Sequence, residues 1–314
     1  MAKKYAFGVD IGGTTVKIGF FTLKGKLLNS WEIPTDRDFE GDNILPDIAE
    51  SIREHLEKAE SGFDEVAGIG MGVPGPVLGD GTINKCVNLG WGVLDASGRM
   101  SELCDGVFVR CGNDANVAAL GEMWQGGGRG YANIVMVTLG TGVGGGVIVN
   151  GRIVSGAFGA GGEIGHIKVR DDEPEACGCG KHGCLEQYAS ATGIVRLAEQ
   201  YLASHDAKTV LTDAPVITSK VIFDAARNGD AVSLELVDTL GRYLGTALSY
   251  IACVVDPEAF VIGGGVSKAG EILLDTIRRH YRENAFHASR GTKFALAELE
   301  NEAGMYGAVK LVLS

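Results

Sequence analysis

The sequence predicts an α/β protein assembled from two similar halves. Three observations carry that prediction. Apolar strand-like runs alternate with amphipathic helical stretches along the 314 residues. A strand, a glycine turn, a strand, a hairpin turn and a further strand recur in the same order near residue 5 and near residue 134, a repeat of architecture more than of letters. The 48 glycines fall in clusters between apolar runs, where tight turns or close backbone approach to a ligand would need them.

In chain order, residues 5–9 and 16–23 read as strands flanking a Gly-Gly-Thr-Thr turn, and Gly25-Lys26 turns the chain into a third strand at 27–33. Ile44, Leu45, Ile48, Ile52 and Leu56 recur at helical spacing and predict an amphipathic helix over 44–56. Residues 66–73 form a buried-type strand running into Pro74-Gly75-Pro76. A strand at 107–110 ends at Cys111-Gly112-Asn113-Asp114, with Asp114 near the start of the next helix. The second half opens with a strand at 134–139, the glycine turn GTGVGGG, a strand at 147–149, the hairpin turn Asn150-Gly151 and a strand at 152–154. Helices follow at 190–203, 219–228 and 231–253. A strand at 259–262 enters Gly263-Gly264-Gly265, a helix covers 270–283, and a strand at 294–297 precedes a closing helix at 305–312. The expected domains are 1–117, completed by the closing segment 303–314, and 118–302.

Length suits about two domains, and 45% hydrophobic with 22% charged residues is an ordinary soluble composition. A net charge of −12 supplies no basic surplus for phosphate backbones, so nucleic acid is excluded as a partner. No apolar run reaches membrane-spanning length, and the opening MAKKYAFGVD passes into a strand within a few residues, leaving no room for a signal peptide. A cytoplasmic protein is expected, with a dimer or tetramer as its working form.

Five segments could carry chemistry. In 9–21, VDIGGTTVKIGFF, a strand-end carboxylate precedes two glycines and two threonines; N–H and hydroxyl donors could surround an anion while Asp10 holds Mg²⁺ through water. The plain alternative is a capped β-hairpin. LGTGVGGG, 139–146, lies between two strands and is neither a Walker motif nor a dinucleotide fingerprint. IGGGVS, 262–267, leads into a helix and could lie against an adenine ring. Three glycine turns at strand ends, two in equivalent places of the halves, form a stronger signal than any one alone. In CGNDANVAALGE, 111–122, Asp114 could accept a hydroxyl proton with Asn113 orienting the acceptor; in isolation an N-cap is the commoner role for such an Asp. GGEIGH and CGCGKHGCLE offer Cys177, Cys179 and Cys184 with His166 or His182, a closed Cys₃His set for structural zinc, and spacing does not decide between the histidines. Cys86, Cys104, Cys111 and Cys253 lie apart and read as core residues.

Together DIGGTTVKIG, GVPGPV, NLGW, GNDANVAALGE, LGTGVGGGVIVNGRIVSGAFGAGGEIGH, CGCGKHGCLE and IGGGVS resemble the ROK family (repressor, open reading frame, kinase), and within it the bacterial glucokinases, over nearly the whole chain. The resemblance implies a duplicated actin-like, RNase-H-like fold with ATP in an interdomain cleft. It implies a phosphate role for Asp10, Gly12, Gly13, Thr14 and Lys17, and for Thr141, Gly142 and Gly144, with Gly264 and Gly265 at the adenosine. Asp114 matches the family's base; Asn113, Glu163, His166 and Glu186 match its sugar ligands; His166, Cys177, Cys179 and Cys184 match its zinc set. Gly75 and Asn88 are further expected sugar contacts. The implied reaction is ATP-dependent phosphorylation of a glucose-like hexose with Mg²⁺, and N-acetylglucosamine or N-acetylmannosamine is the alternative acceptor. Sugar-responsive repressors of the family carry a helix-turn-helix ahead of the first strand, and here that strand begins near Tyr5. An actin-like scaffold without catalysis would not need Asp114, and polyphosphate is an alternative donor.

Overall fold

The opening apolar run becomes a hairpin whose inner strand seeds a sheet. In the computed structural model, which describes residues 2–313, β1 (Tyr5–Ile11) pairs antiparallel with β2 (Thr15–Thr22), with Asp10 opposite Lys17, and β2 pairs with β3 (Leu27–Pro34). After α1 (Ile44–Lys58) comes β4 (Val66–Val73), parallel to β1 with Asp10 opposite Gly72. A short α2 (Ala96–Leu103) leads to β5 (Val109–Asn113), parallel to β4 with Val73 opposite Asn113, and α3 (Asp114–Gln125) follows directly. The order is β3-β2-β1-β4-β5. All three parallel strands therefore end at one edge, where ligands of α/β sheets collect.

β6 (Ile134–Leu139), β7 (Val143–Val149) and β8 (Arg152–Ile153) start the second sheet. It is completed beyond α4 (Glu186–Ala189), α5 (Ala191–Ser204), α6 (Ser219–Arg227) and α7 (Ala231–Val255) by β9 (Ala259–Gly263) and, after α8 (Glu271–Asn284), by β10 (Lys293–Leu296). Its order, read from the β8 edge, is β8-β7-β6-β9-β10, which repeats the first sheet strand for strand, with β7–β8 antiparallel and β6–β9–β10 parallel. α9 (Ala303–Leu313) closes the chain. Among the described residues no helix is long and apolar enough to cross a membrane.

The first unit comprises the chain up to Ala132, Gly146–Gly162 and everything from Glu298 onward; the second comprises Asn133–Gly145 and Glu163–Ala297. One face of the first sheet is covered by α1, whose five expected apolar positions are all buried against Phe7, Val9 and Ile18. The other face receives α9, with Met305 and Val309 packed on Ala6 and Phe21. This second contact is close: a Cβ on Gly70 would fall 1.7 Å from the Ala308 carbonyl oxygen. In the second unit Phe260, Tyr281 and Phe294 join β9, α8 and β10 with ring centroids 5.2–5.4 Å apart.

Three differences from the sequence expectation have local causes. The compact units do not divide after residue 117. α3 runs unbroken to Gln125, and its Gly121 lies so near α9 that a Cβ would fall 2.2 Å from the Ala303 carbonyl oxygen, so residues 118–125 stay with the first unit. The strand expected at 107–110 runs on to Asn113, which carries that residue to the ligand edge. α2 was not expected: its Ser-Gly interior has weak helical pattern, and Asp95 starts it by accepting from the Gly98 N–H at 2.8 Å.

Candidate active site

The first unit gathers Asp10, Gly75, Asn113 and Asp114 at the ends of its parallel strands. Asp10 is the penultimate residue of β1, and Gly12 donates its N–H to the Thr15 carbonyl at 3.0 Å to make the turn. Thr35, the residue after β3, braces that turn, donating its hydroxyl to the Gly12 carbonyl at 2.8 Å and its N–H to the Thr14 carbonyl at 2.9 Å. Beyond Gly13 and its two chain neighbours, no atom of the described residues lies within 4 Å of where a Gly13 Cβ would be, so the turn faces open space there. Lys17 reaches the Asn301 carbonyl at 3.5 Å. Burial pushes the Asp10 carboxyl up to about 6; the charge of Asp114 adds to the rise and Lys17 opposes it.

Asp114 is the first helical residue of α3, and it is not the cap. Asn113, with extended backbone, caps the helix by accepting from the Asn116 N–H at 3.1 Å. Asp114 Oδ1 accepts from the Ala115 N–H at 2.8 Å and from Asn113 Nδ2 at 3.0 Å. Asn113 Nδ2 also donates to the Gly75 carbonyl at 3.1 Å. The capping duty that competed with a chemical role for Asp114 thus belongs to its neighbour. Asn88 is exposed on a 3₁₀ turn over Val87–Leu89, held from below by buried Leu89 and by Trp91, whose indole donates to the Gly41 carbonyl at 3.0 Å.

In the second unit the turn after β6 is fastened to the start of α5: the Gly140 carbonyl accepts from the Ala191 N–H at 2.8 Å and the Thr141 carbonyl from the Thr192 hydroxyl at 2.6 Å. A Cβ on Gly142 would lie 2.6 Å from Glu186 Oε2, and one on Gly144 would lie 2.5 Å from Thr138 Oγ1. Gly264, at φ +84°, crosses the end of β6 so closely that a Cβ would fall 2.5 Å from the Leu139 carbonyl oxygen. Gly265 borders a cavity of about 210 Å³ whose other wall is α6, through Lys220, Phe223, Asp224 and Arg227.

The donor atoms of His166, Cys177, Cys179 and Cys184 all lie within 4.8 Å of one another. Cys179 Sγ is 3.6 Å from Cys184 Sγ, and Cys177 Sγ is 3.8 Å from His166 Nδ1. Tetrahedral zinc with bonds of about 2.3 Å to sulfur needs ligand spacings of about 3.8 Å, so the set fits that ion. His182 lies outside the cluster, its Nδ1 3.1 Å from the Glu173 carbonyl oxygen. His166 turns its other nitrogen to Glu163, with Nε2 4.0 Å from Oε2, while Glu186 Oε1 is 3.8 Å from Nδ1 and accepts from the Cys177 thiol at 2.9 Å. Burial pushes the Cys177 thiol up to about 12. Gln187 secures the loop, accepting from the N–H groups of Gly183 and Cys184 at 2.9 and 3.0 Å. Behind it Arg196 grips Glu173 at 3.0 and 3.1 Å and Tyr188 donates to the same carboxylate. Burial would raise the Glu173 carboxyl, but these donors overcome it and hold it at about 2.

The sequence matches the ROK family over residues 6–314. The chain belongs to the ROK family. It is 42% identical to a glucokinase of Halalkalibacterium halodurans over 99% of this chain and 96% of that protein. With a glucokinase of Thermotoga maritima it shares 36% over 99% and 98%. The crystal structure of a ROK family glucokinase from Streptomyces griseus in complex with glucose and AMPPNP superposes with a TM-score of 0.73 at 34% identity, covering 98% of each chain. The two duplicated sheets are accordingly those of the ROK sugar kinases, the actin-like fold.

Within this ROK chain the first unit brings together Asp10, Gly75, Asn113 and Asp114, and the second brings together Gly142, Glu163, His166, Glu186 and the three thiols. Sequence reasoning missed the α6 wall beside Gly265. Its signal was present: the Lys220–Asp224 and Asp224–Arg227 pairs, at 2.5 and 2.6 Å, draw a charged stripe along a helix whose Phe223 is buried.

Proposed function

We propose that this ROK protein transfers the γ-phosphoryl group of ATP to the 6-hydroxyl of glucose. The observation that carries the reading is Asp114: a carboxylate at the ligand edge of the first sheet, relieved of capping and held in one orientation by Asn113 and the Ala115 N–H. Asp114 takes the hydroxyl proton while the sugar oxygen attacks phosphorus in line. By the family resemblance the Gly12–Thr14 and Thr141–Gly144 turns are the phosphate segments, and their N–H groups that are not already bonded within the turns, which leaves out that of Gly12, would stabilise the charge that develops. Mg²⁺ near Asp10 would neutralise part of that charge. Glu163, His166 and Glu186 orient the sugar, with Gly75 and Asn88 as further contacts; a hydroxyl reaching Asn113 would have to displace one of the bonds its amide makes within the protein. The cavity between α6 and Gly265 suits the adenosine and favours a nucleotide over polyphosphate. Zinc at His166, Cys177, Cys179 and Cys184 would be structural, because four protein ligands leave no open position. A cytoplasmic homo-oligomer is the expected working form.

Glucose is favoured over N-acetylated hexoses by the likeness to glucokinases at 36–42% identity, against 30% for an N-acetylgalactosamine kinase of Shewanella and 31% for an N-acetyl-D-glucosamine kinase of Pectobacterium atrosepticum. A regulator reading has less support: a ROK transcriptional regulator on which the chain superposes with a TM-score of 0.84 is 25% identical to it, below the 36–42% of the glucokinases. A coupled ADP-release assay across glucose, mannose, fructose, N-acetylglucosamine and N-acetylmannosamine tests the assignment. Glucose should give the highest specificity constant, and a higher value for an N-acetylated sugar would leave only the kinase class standing.

A further inference from the structure

Asn116 lies two residues beyond the start of α3 and is 2% exposed. Its Nδ2 donates to the Gly161 carbonyl at 3.1 Å and to Asn113 Oδ1 at 3.3 Å, and its backbone N–H donates to the same Asn113 oxygen at 3.1 Å. Two donors converging on Oδ1 decide which way the Asn113 amide faces. Its Nδ2 is thereby turned toward the Gly75 carbonyl and Asp114 Oδ1, at 3.1 and 3.0 Å. Flipped, the amide would present an oxygen to both of those acceptors and repel the carboxylate it now holds. Gly161, Asn116, Asn113, Gly75 and Asp114 thus form one continuous string of hydrogen bonds.

A second observation sets Asn116 apart from an ordinary helix residue. Its own Oδ1 is buried and has no hydrogen-bond partner among the described residues. A buried acceptor left unsatisfied destabilises a fold, so stability alone gives no reason for that oxygen. The donor end of the amide supplies the reason: no apolar side chain of that shape could orient Asn113.

We propose that Asn116 is a positioning residue for phosphoryl transfer, acting through Asn113 to fix the orientation of the Asp114 carboxylate. The proposal rests on the reading of Asp114 as the proton acceptor. The test measures kcat and both KM values for wild type, Asn116→Ala, Asn113→Ala and the double variant, using the best acceptor from the hexose panel. Asn116→Ala should lower kcat at least about tenfold, the scale of a misoriented catalytic group, with both KM values within about threefold. If the two residues act as one unit, the double variant should be no slower than Asn113→Ala alone within about twofold. A melt checks each variant's folding, and Asn116→Ser, which also removes the Nδ2 donor, replaces the alanine variant in the same comparison if that one fails to fold. An Asn116 variant with kcat within about twofold of wild type overturns the proposal, and so do losses that add in the double variant. Wild type that phosphorylates no hexose would remove the proposed activity and this inference with it; an active wild type with an unaffected variant removes the inference alone.

Discussion

At Asp10 the protein holds a carboxylate in surroundings that disfavour its charge, with burial and Asp114 pushing the carboxyl up to about 6. The folded state then binds this proton more tightly than the unfolded chain does, so its contribution to stability is complete below about pH 4 and lost as pH rises through about 6. The loss amounts to at most about 3 kcal/mol, from a shift of roughly two pH units. Asp10→Asn should therefore melt several degrees above wild type at pH 7 in the absence of ligands, with the gap closing toward pH 4, while phosphoryl transfer collapses. Equal melting temperatures at pH 7 would show that the site does not strain the fold. Asp114→Asn keeps an oxygen for the Ala115 N–H and for Asn113, and removes a charge that works against Asp10. Melting should stay level or rise, and turnover should fall at least about a hundredfold, the usual scale for losing a general base. Near-normal turnover would leave Asp114 without a chemical role.

Among the elements, the glycine turns and the cysteine loop make separable demands. If Gly142 served the phosphates alone, Gly142→Val would cripple ATP use and spare sugar binding. With Glu186 Oε2 2.6 Å from that Cβ, the substitution should weaken both, because it displaces an expected sugar ligand. Gly13→Val is the discriminating change: with no atom of the described residues beyond its chain neighbours within 4 Å of its Cβ, the fold should tolerate it, and loss should appear in titrations with an ATP analogue but not with glucose. Equal loss of both would point to misfolding. The cysteine loop would need a metal less than its glycine-rich sequence suggests, since Gln187, Arg196 and the Leu185 N–H bond to the Ile167 carbonyl at 2.8 Å hold its flanks. Cys179→Ser should lose near-stoichiometric zinc by elemental analysis, melt only slightly lower, and bind glucose much more weakly as Glu186 loses the ordered loop that sets Cys177 and His166 beside it. Unchanged glucose affinity would leave a metal site unconnected to substrate.

Over the whole chain, the first unit is finished by its last element. α9 covers the face of the sheet opposite α1, and glycines at 70, 121 and 307 let it approach β4 and α3 at backbone distance. Removing everything from Ala303 onward should expose Ala6 and Phe21 and leave the protein aggregated or with most of its helical circular dichroism lost; a soluble, cooperatively melting product would contradict that account. The duplicated α/β pattern, the apolar stripe of α1, the three glycine turns and the thiol cluster were legible in the sequence because each rests on local periodicity or short spacing. Other features depend on residues far apart in the chain, and only the tertiary structure decided them. His166, and not His182, stands beside the thiols because the fold turns one imidazole toward them and the other onto the Glu173 carbonyl. Asn113 became the cap because β5 runs three residues further than its apolar pattern. The wall of α6 beside Gly265, the stacking of Gly142 on Glu186 and the return of α9 to the first sheet all arise from packing across long loops, where no local rule relates the partners.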